Sequence, residues 1–101
     1  MAYQIKVTQL AEDELDEAME WYEEEKSGLG VAFLNHFFNR VAYLTESPYL
    51  YQEVYKTYRR VLMKKYPYAI YYQIDEQKQE VVVLAIWHTS KNLERLKNRL
   101  K

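Results

Sequence analysis

The stretch YRRVLMKKYPYAIYYQIDEQKQEVVVLAIWH, residues 58–88, decides the fold. Its β-branched and aromatic content predicts three strands, Tyr58–Lys65, Tyr68–Ile74 and Glu80–His88. Pro67 marks the entry to the middle strand, where a missing N–H does least harm. Asp75–Gln79 is a polar connection suited to a hairpin. Val81, Val82, Val83, Leu84, Ala85 and Ile86 form a nearly unbroken apolar run, which predicts a strand deep in a sheet.

Such a sheet needs a cover, and the first half supplies it. Tyr3, Ile5 and Val7 alternate with Gln4 and Lys6 at the period of a first, half-buried strand. Thr8 can then cap a helix whose first turn carries Glu12, Asp13 and Glu14 at the positive end of the helix dipole. Ala11, Leu15, Ala18, Met19 and Tyr22 recur at helical spacing as its buried stripe. Ser27 and Gly28 end that helix. A second helix is predicted from about Gly30 to Glu46, with Phe33, Leu34, Phe37, Phe38, Val41 and Leu44 as a wide apolar face, stopped by Ser47 and Pro48. Two helices joined so closely form an antiparallel hairpin that must bury its stripes against something flat. After the last strand, Leu93, Leu96 and Leu100 share one side of a short helix and need a groove. The expected fold is α+β: an antiparallel sheet of the first strand and the three later ones, the hairpin on one face, and a short C-terminal helix.

Composition narrows the function classes. At 101 residues with 49% hydrophobic content, residues 1–101 are expected to form one domain with one core. The absence of cysteine excludes disulfides, a thiolate nucleophile and a thiolate metal site. No apolar segment approaches membrane-spanning length, so a cytoplasmic chain without membrane contact is expected. The net charge of −1 hides an asymmetry: residues 1–50 carry −7 and residues 51–101 carry +6. A chain sorted this way can present a positive surface to an anionic partner. The carboxylates of the first helix read as a solvated face, because no histidine lies among them to complete a metal site. Neither a metal nor another cofactor is expected.

Three stretches together resemble the RelE/ParE toxin superfamily. Ala11-Glu-Asp-Glu-Leu15-Asp-Glu-Ala18, ending in Trp21-Tyr22, is similar to that family's opening helix. Tyr58-Arg59-Arg60 through Tyr66-Pro67-Tyr68 to Tyr72 is similar to its run of arginine, apolar and basic residues before Phe-Pro-Tyr, with Tyr66 in place of the usual Phe. Val81–Ile86 followed by Trp87-His88-Thr89-Ser90-Lys91-Asn92 resembles its last strand and His-x-x-Arg ending, with Lys91 at the arginine position. The resemblance covers nearly the whole chain in order. It implies the toxin of a type II toxin–antitoxin pair, neutralised by a cognate antitoxin. Members of the superfamily act in two ways: ParE-like proteins poison DNA gyrase, whereas RelE-like proteins cleave messenger RNA on the ribosome without a metal. A third outcome is a degenerate member that only binds antitoxin. Homodimerisation of the free chain stays open.

Cleaving RNA without a metal requires a proton acceptor for the 2′-hydroxyl, a proton donor for the leaving oxygen and fixed positive charge for the phosphorane. His88, Lys65 and Lys91 are the candidates for catalysis, and Arg59, Arg60, Lys64 and Tyr66 for phosphate or target binding. His88 ends the last strand and is the side chain in this half with an ordinary pKa near neutrality. Stacking on Trp87 or capping the final helix is its structural alternative. His36, inside the second helix, reads as structural. Arg59 and Lys65 share strand parity with Val61 and Met63, whereas Arg60 and Lys64 share parity with Leu62. Bases therefore lie on both faces, and parity leaves open which pair faces the helices. Nuclease-type members carry an arginine on the strand after the aromatic turn, and the matching residue is Ala69. That favours the ParE-like reading, because lysines nearby lack arginine's bidentate fork. Tyr66, Tyr68, Tyr71 and Tyr72 could stack on bases, but Tyr68 and Tyr72, alternating with Ile70 and Ile74, are expected to pack on the hairpin. Tyr49, Tyr51, Tyr55 and Tyr58 stand near the loop after Pro48, where an antitoxin could be received.

Overall fold

A computed structural model describes residues 2–100. The chain runs β1 (Gln4–Val7), α1 (Gln9–Glu25), α2 (Leu29–Glu46), β2 (Glu53–Tyr55), β3 (Tyr58–Leu62), β4 (Tyr68–Asp75), β5 (Glu80–His88) and α3 (Leu93–Arg99). The five strands form one sheet in the order β1-β5-β4-β3-β2.

The α+β class and the hairpin follow the sequence reading, with two differences in the sheet. It is mixed rather than antiparallel, because β1 runs parallel to β5, Ile5 opposite Val81 and Val7 opposite Val83. Alternation marks a strand without naming its neighbour, and so without fixing its direction. The second difference is β2, whose Glu53 pairs with Arg59 of β3. Three residues are too few to show a period. The strand expected to reach Lys65 stops at Leu62, and Met63–Pro67 turn into β4, with the Met63 N–H donating to the Tyr68 carbonyl at 3.0 Å.

Local chemistry sets the hairpin. The Thr8 hydroxyl accepts from the Ala11 N–H at 3.3 Å and caps α1. Gly28 takes φ +95°, the left-handed region open to glycine, and begins α2 with no side-chain cap of its own. Glu23 substitutes: its carboxylate accepts from the N–H groups of Gly28 and Gly30, both at 3.0 Å. These bonds hold its pKa below the ordinary carboxylate value. Gly30 lets the helices touch, since a Cβ there would lie 2.9 Å from the Met19 carbonyl oxygen.

The sheet is buried on both faces. Toward the hairpin, Leu15 and Ala18 of α1 and Phe33, Phe37, Val41 and Leu44 of α2 pack on Val61, Ile70, Tyr72, Val81, Val83 and Ile86. Toward α3, Ala69, Tyr71, Ala85 and Trp87 meet Leu96 and Leu100. Burial on two sides explains the unbroken apolar run in β5. Tyr71 pairs with Ala85 but Tyr72 with Val83, so Leu84 is an extra residue that bulges β5. Beyond Val7, β5 has a bare edge, closed by side chains. Glu14 accepts from the Ile86 N–H at 3.0 Å, and Arg99 donates to the Leu84 carbonyl while holding Glu14 at 2.7 and 3.1 Å. Among the described residues no helix is long and apolar enough to cross a membrane.

Candidate functional site

One end of the sheet collects most of the residues the sequence singled out. Lys64 and Lys65 are exposed in the β3–β4 turn. The Thr89 N–H donates to the Pro67 carbonyl at 2.8 Å, which docks that turn against the segment carrying His88 and Lys91. Parity then divides the neighbours. Arg59 pairs with Tyr72, whose side chain lies in the hairpin core, and Arg60 pairs with Tyr71, whose side chain faces α3. The open question of which base faces the helices is settled locally: it is Arg59.

Arg59 is fully engaged there. It donates to the Tyr51 carbonyl at 2.6 Å, stands 4.0 Å from the Glu53 carboxylate and lies 5.0 Å from the centroid of the Tyr49 ring. It fastens the loop after α2 to the sheet and has little left for a phosphate. Tyr66 is occupied as well, with Tyr22, Phe33 and His36 around its ring at 5.1, 5.0 and 5.3 Å. It packs where stacking on a target had been weighed. His36 is half-buried with no partner for Nε2 among the described residues, and burial first, then Arg40 and Lys65, lower its pKa. Tyr72 is fully buried and donates to the Pro48 carbonyl at 2.8 Å, and Tyr68 packs on the same core. Of the loop tyrosines, Tyr49 donates to Glu76, while Tyr55 and Tyr58 stack on each other with centroids 6.2 Å apart.

His88 opens on the hairpin side. Its ring meets Tyr68 edge-on at 5.0 Å, and Nδ1 accepts from the Ser90 N–H at 3.1 Å with Ser90 Oγ at 2.7 Å. A backbone N–H can only donate, so the neutral ring carries its proton on Nε2. The cleft it lines, about 210 Å³, also includes Glu14, Glu17, Trp21 and Lys91. Arg99 compensates the Glu14 carboxylate, which leaves Glu17 as the carboxylate of this cleft that repels a phosphodiester.

On the opposite face, Arg60, Leu62, Ala69, Tyr71, Trp87, Lys91 and Leu93 line a second groove of about 120 Å³. Ala69 is buried at its floor, and neither imidazole nor carboxylate lines it. Lys91 borders both clefts, its Nζ lying 5.1 Å from the Trp87 ring centroid. The sequence reading had not singled out Trp87, Leu62 or the Glu14–Arg99 pair. Strand parity with Ala85 could have marked Trp87, but nothing local joins residues 14 and 99. Among the described residues no group of three or more His, Asp or Glu is placed to hold a metal ion.

A helical hairpin on one face of a five-stranded mixed sheet, with a short helix behind, is the architecture of the RelE/ParE superfamily of small toxins. The toxin–antitoxin ParDE system from P. aeruginosa superposes with a TM-score of 0.77 at 14% identity, covering 88% of this chain and 98% of that one. The isolated E. coli RelE toxin superposes with a TM-score of 0.67 at 15% identity, covering 99% and 100%. The toxin–antitoxin complex RelBE2 from Mycobacterium tuberculosis gives 0.56 at 17% identity, covering 87% and 99%. A comparison with curated protein sequences finds no significant match. The sequence pattern of the ParE toxins of type II toxin–antitoxin systems, parDE, matches residues 5–93, and the chain belongs to that family.

Proposed function

We propose that residues 1–101 form a single toxin domain that acts in the bacterial cytoplasm, is neutralised by a cognate antitoxin, and works as ParE-like toxins do, by binding DNA gyrase. One observation carries the choice of target. The proton carrier and the outward arginine of β3 open on opposite faces of the sheet: His88 on the hairpin side among Glu14 and Glu17, Arg60 on the α3 side above Ala69, with Lys91 bordering both clefts. In-line cleavage of RNA needs these groups around one phosphate, and losing one such charge costs on the order of 100-fold or more in rate. A protein that binds its target has no such requirement. The RelE-like alternative must assemble its site from His88, Lys65 and Lys91 at the shared end of the sheet, with Arg60 and Lys64 as phosphate contacts.

The test is to induce the chain with and without its antitoxin, following plasmid topology and messenger RNA in the same cultures, and to add the purified chain to gyrase. The expected result is loss of supercoiling with messages intact, relieved by antitoxin. Codon-positioned RNA cuts that vanish in His88→Ala or Lys65→Ala would overturn the choice of target. Unimpaired growth in both cultures would overturn the toxin reading itself.

A further inference from the structure

His36 meets the β3–β4 turn in a contact that neither account of the target uses. Its ring stands 5.3 Å from the Tyr66 ring at 67°, and Tyr66 in turn rests on Tyr22 of α1 and Phe33 of α2. His36 Nε2 is buried with no partner among the described residues. A buried ring nitrogen that carries only a lone pair can stand unpaired, but a buried, charged N–H without an acceptor is expensive. The surroundings add to that expense. One helical turn on, Arg40 donates to the Tyr51 hydroxyl and to the Leu62 carbonyl, both at 3.1 Å, which fixes a positive charge at the end of β3 where the turn begins. Lys65 brings a second cation from the turn itself. The other titratable groups here are Tyr66, Tyr22 behind it, and Tyr43 and Glu46, which share an outward hollow with His36. Glu46 lies ten residues along α2, roughly 15 Å away, too far to neutralise an imidazolium.

We propose that His36 is an acid-sensitive latch on the β3–β4 turn. Neutral, it lets Tyr66 seat against the hairpin. Protonated, it sets an imidazolium with a buried, acceptor-less N–H beside two cations, and the turn lifts, carrying Lys64 and Lys65 away from the segment that holds His88 and Lys91. Burial, followed by Arg40 and Lys65, lowers the His36 pKa. The folded chain therefore resists a proton that the unfolded chain accepts, so this contribution to stability is complete above the ordinary value of 6.5 and is lost as pH falls through the lowered one. The latch works whichever target the chain binds.

Two backbone bonds report the turn: Met63 N–H to the Tyr68 carbonyl at 3.0 Å and Thr89 N–H to the Pro67 carbonyl at 2.8 Å. Protection of these amides from hydrogen exchange, corrected for the intrinsic pH dependence of exchange, is measured on the full chain between about pH 7.5 and 5, while the imidazole resonances are followed in the same samples. The chain holds two histidines, so the wild type and two variants separate their effects. Protection is expected to fall severalfold on acidification in step with the His36 resonance, to fall in the same way in His88→Gln, and to stay level in His36→Leu. Lys65→Gln, an exposed position, removes one of the two cations and is expected to move the midpoint upward, a response that plain packing of His36 would not give. That arm keeps the proposal testable if His36→Leu fails to fold. A His36 midpoint at or above 6.5, protection that ignores the His36 titration, a loss that persists in His36→Leu, or a midpoint unmoved in Lys65→Gln would overturn it.

Discussion

Replacing Arg99 with alanine is predicted to cost the fold about 2 to 3 kcal/mol, placed between the values for exposed and for fully buried broken ion pairs. The structure supplies the reasons for that interval. The Arg99 and Glu14 side chains are 22% and 18% exposed, so solvent screens them only in part. Arg99 makes two bonds to the Glu14 carboxylate and one to the Leu84 carbonyl, and its removal strips all three. Glu14 keeps the Ile86 N–H but loses its countercharge, and the β5 edge regains a bare carbonyl. For a chain of this size the loss corresponds to a fall in Tm of roughly 10 to 20 °C. Urea unfolding of wild type, Arg99→Ala, Glu14→Gln and the double variant forms a cycle whose coupling is expected to exceed about 1 kcal/mol. A single variant within about 0.5 kcal/mol of wild type, or strict additivity, would refute the reasoning that this pair seals the sheet edge.

Gly30→Ala is expected to destabilise by about 2 kcal/mol, because its Cβ would meet the Met19 carbonyl at 2.9 Å and push the hairpin apart, whereas Gly28→Ala pays only its left-handed φ, about 1 kcal/mol; denaturant midpoints check the order. Tyr72→Phe leaves the Pro48 carbonyl unpaired beside the core and is expected to cost about 1 to 2 kcal/mol in the same assay. Stability should also fall at both ends of the pH scale. The bond to Glu76 raises the Tyr49 hydroxyl to about 12, so the folded chain holds a proton that the unfolded chain releases from about 10 upward, and this contribution is lost as pH climbs through that window. Hydrogen bonds from Tyr3, 2.5 Å away, and Tyr49 depress Glu76, whose contribution is present above the ordinary carboxylate value of 4.5 and lost on acidification. A pH series of midpoints should flatten at both limbs in Tyr49→Phe, and an unchanged profile would count against this clamp.

Much of the architecture was legible because each element carries its own period. Leu15 and Ala18 on α1, and Phe33, Phe37, Val41 and Leu44 on α2, all point into the hairpin core, as their spacing predicted. Glu80–His88 is a strand with the expected bounds. What stayed hidden depends on contacts between distant residues. The parallel pairing of β1 with β5 joins residues 4–7 to 80–83, and β2 exists only because Glu53 meets Arg59. The site was legible as a list of residue types more than as an arrangement. Parity showed that Arg59 and Arg60 take opposite faces, but not that Tyr51 and Glu53 occupy Arg59 while Arg60 has no ion-pair partner among the described residues. The aromatic run likewise cannot reveal that Tyr66 is taken by Tyr22, Phe33 and His36.

The place of β5, last of the strands in the chain yet flanked by β1 and β4, has a consequence for synthesis. As the chain emerges from the ribosome, β1 has no strand to pair with until residues 80–83 are made, and the hairpin lacks much of the surface it covers. Pairings this far apart in sequence form late and slowly. The chain would therefore acquire its shape only after nearly all of it has been translated.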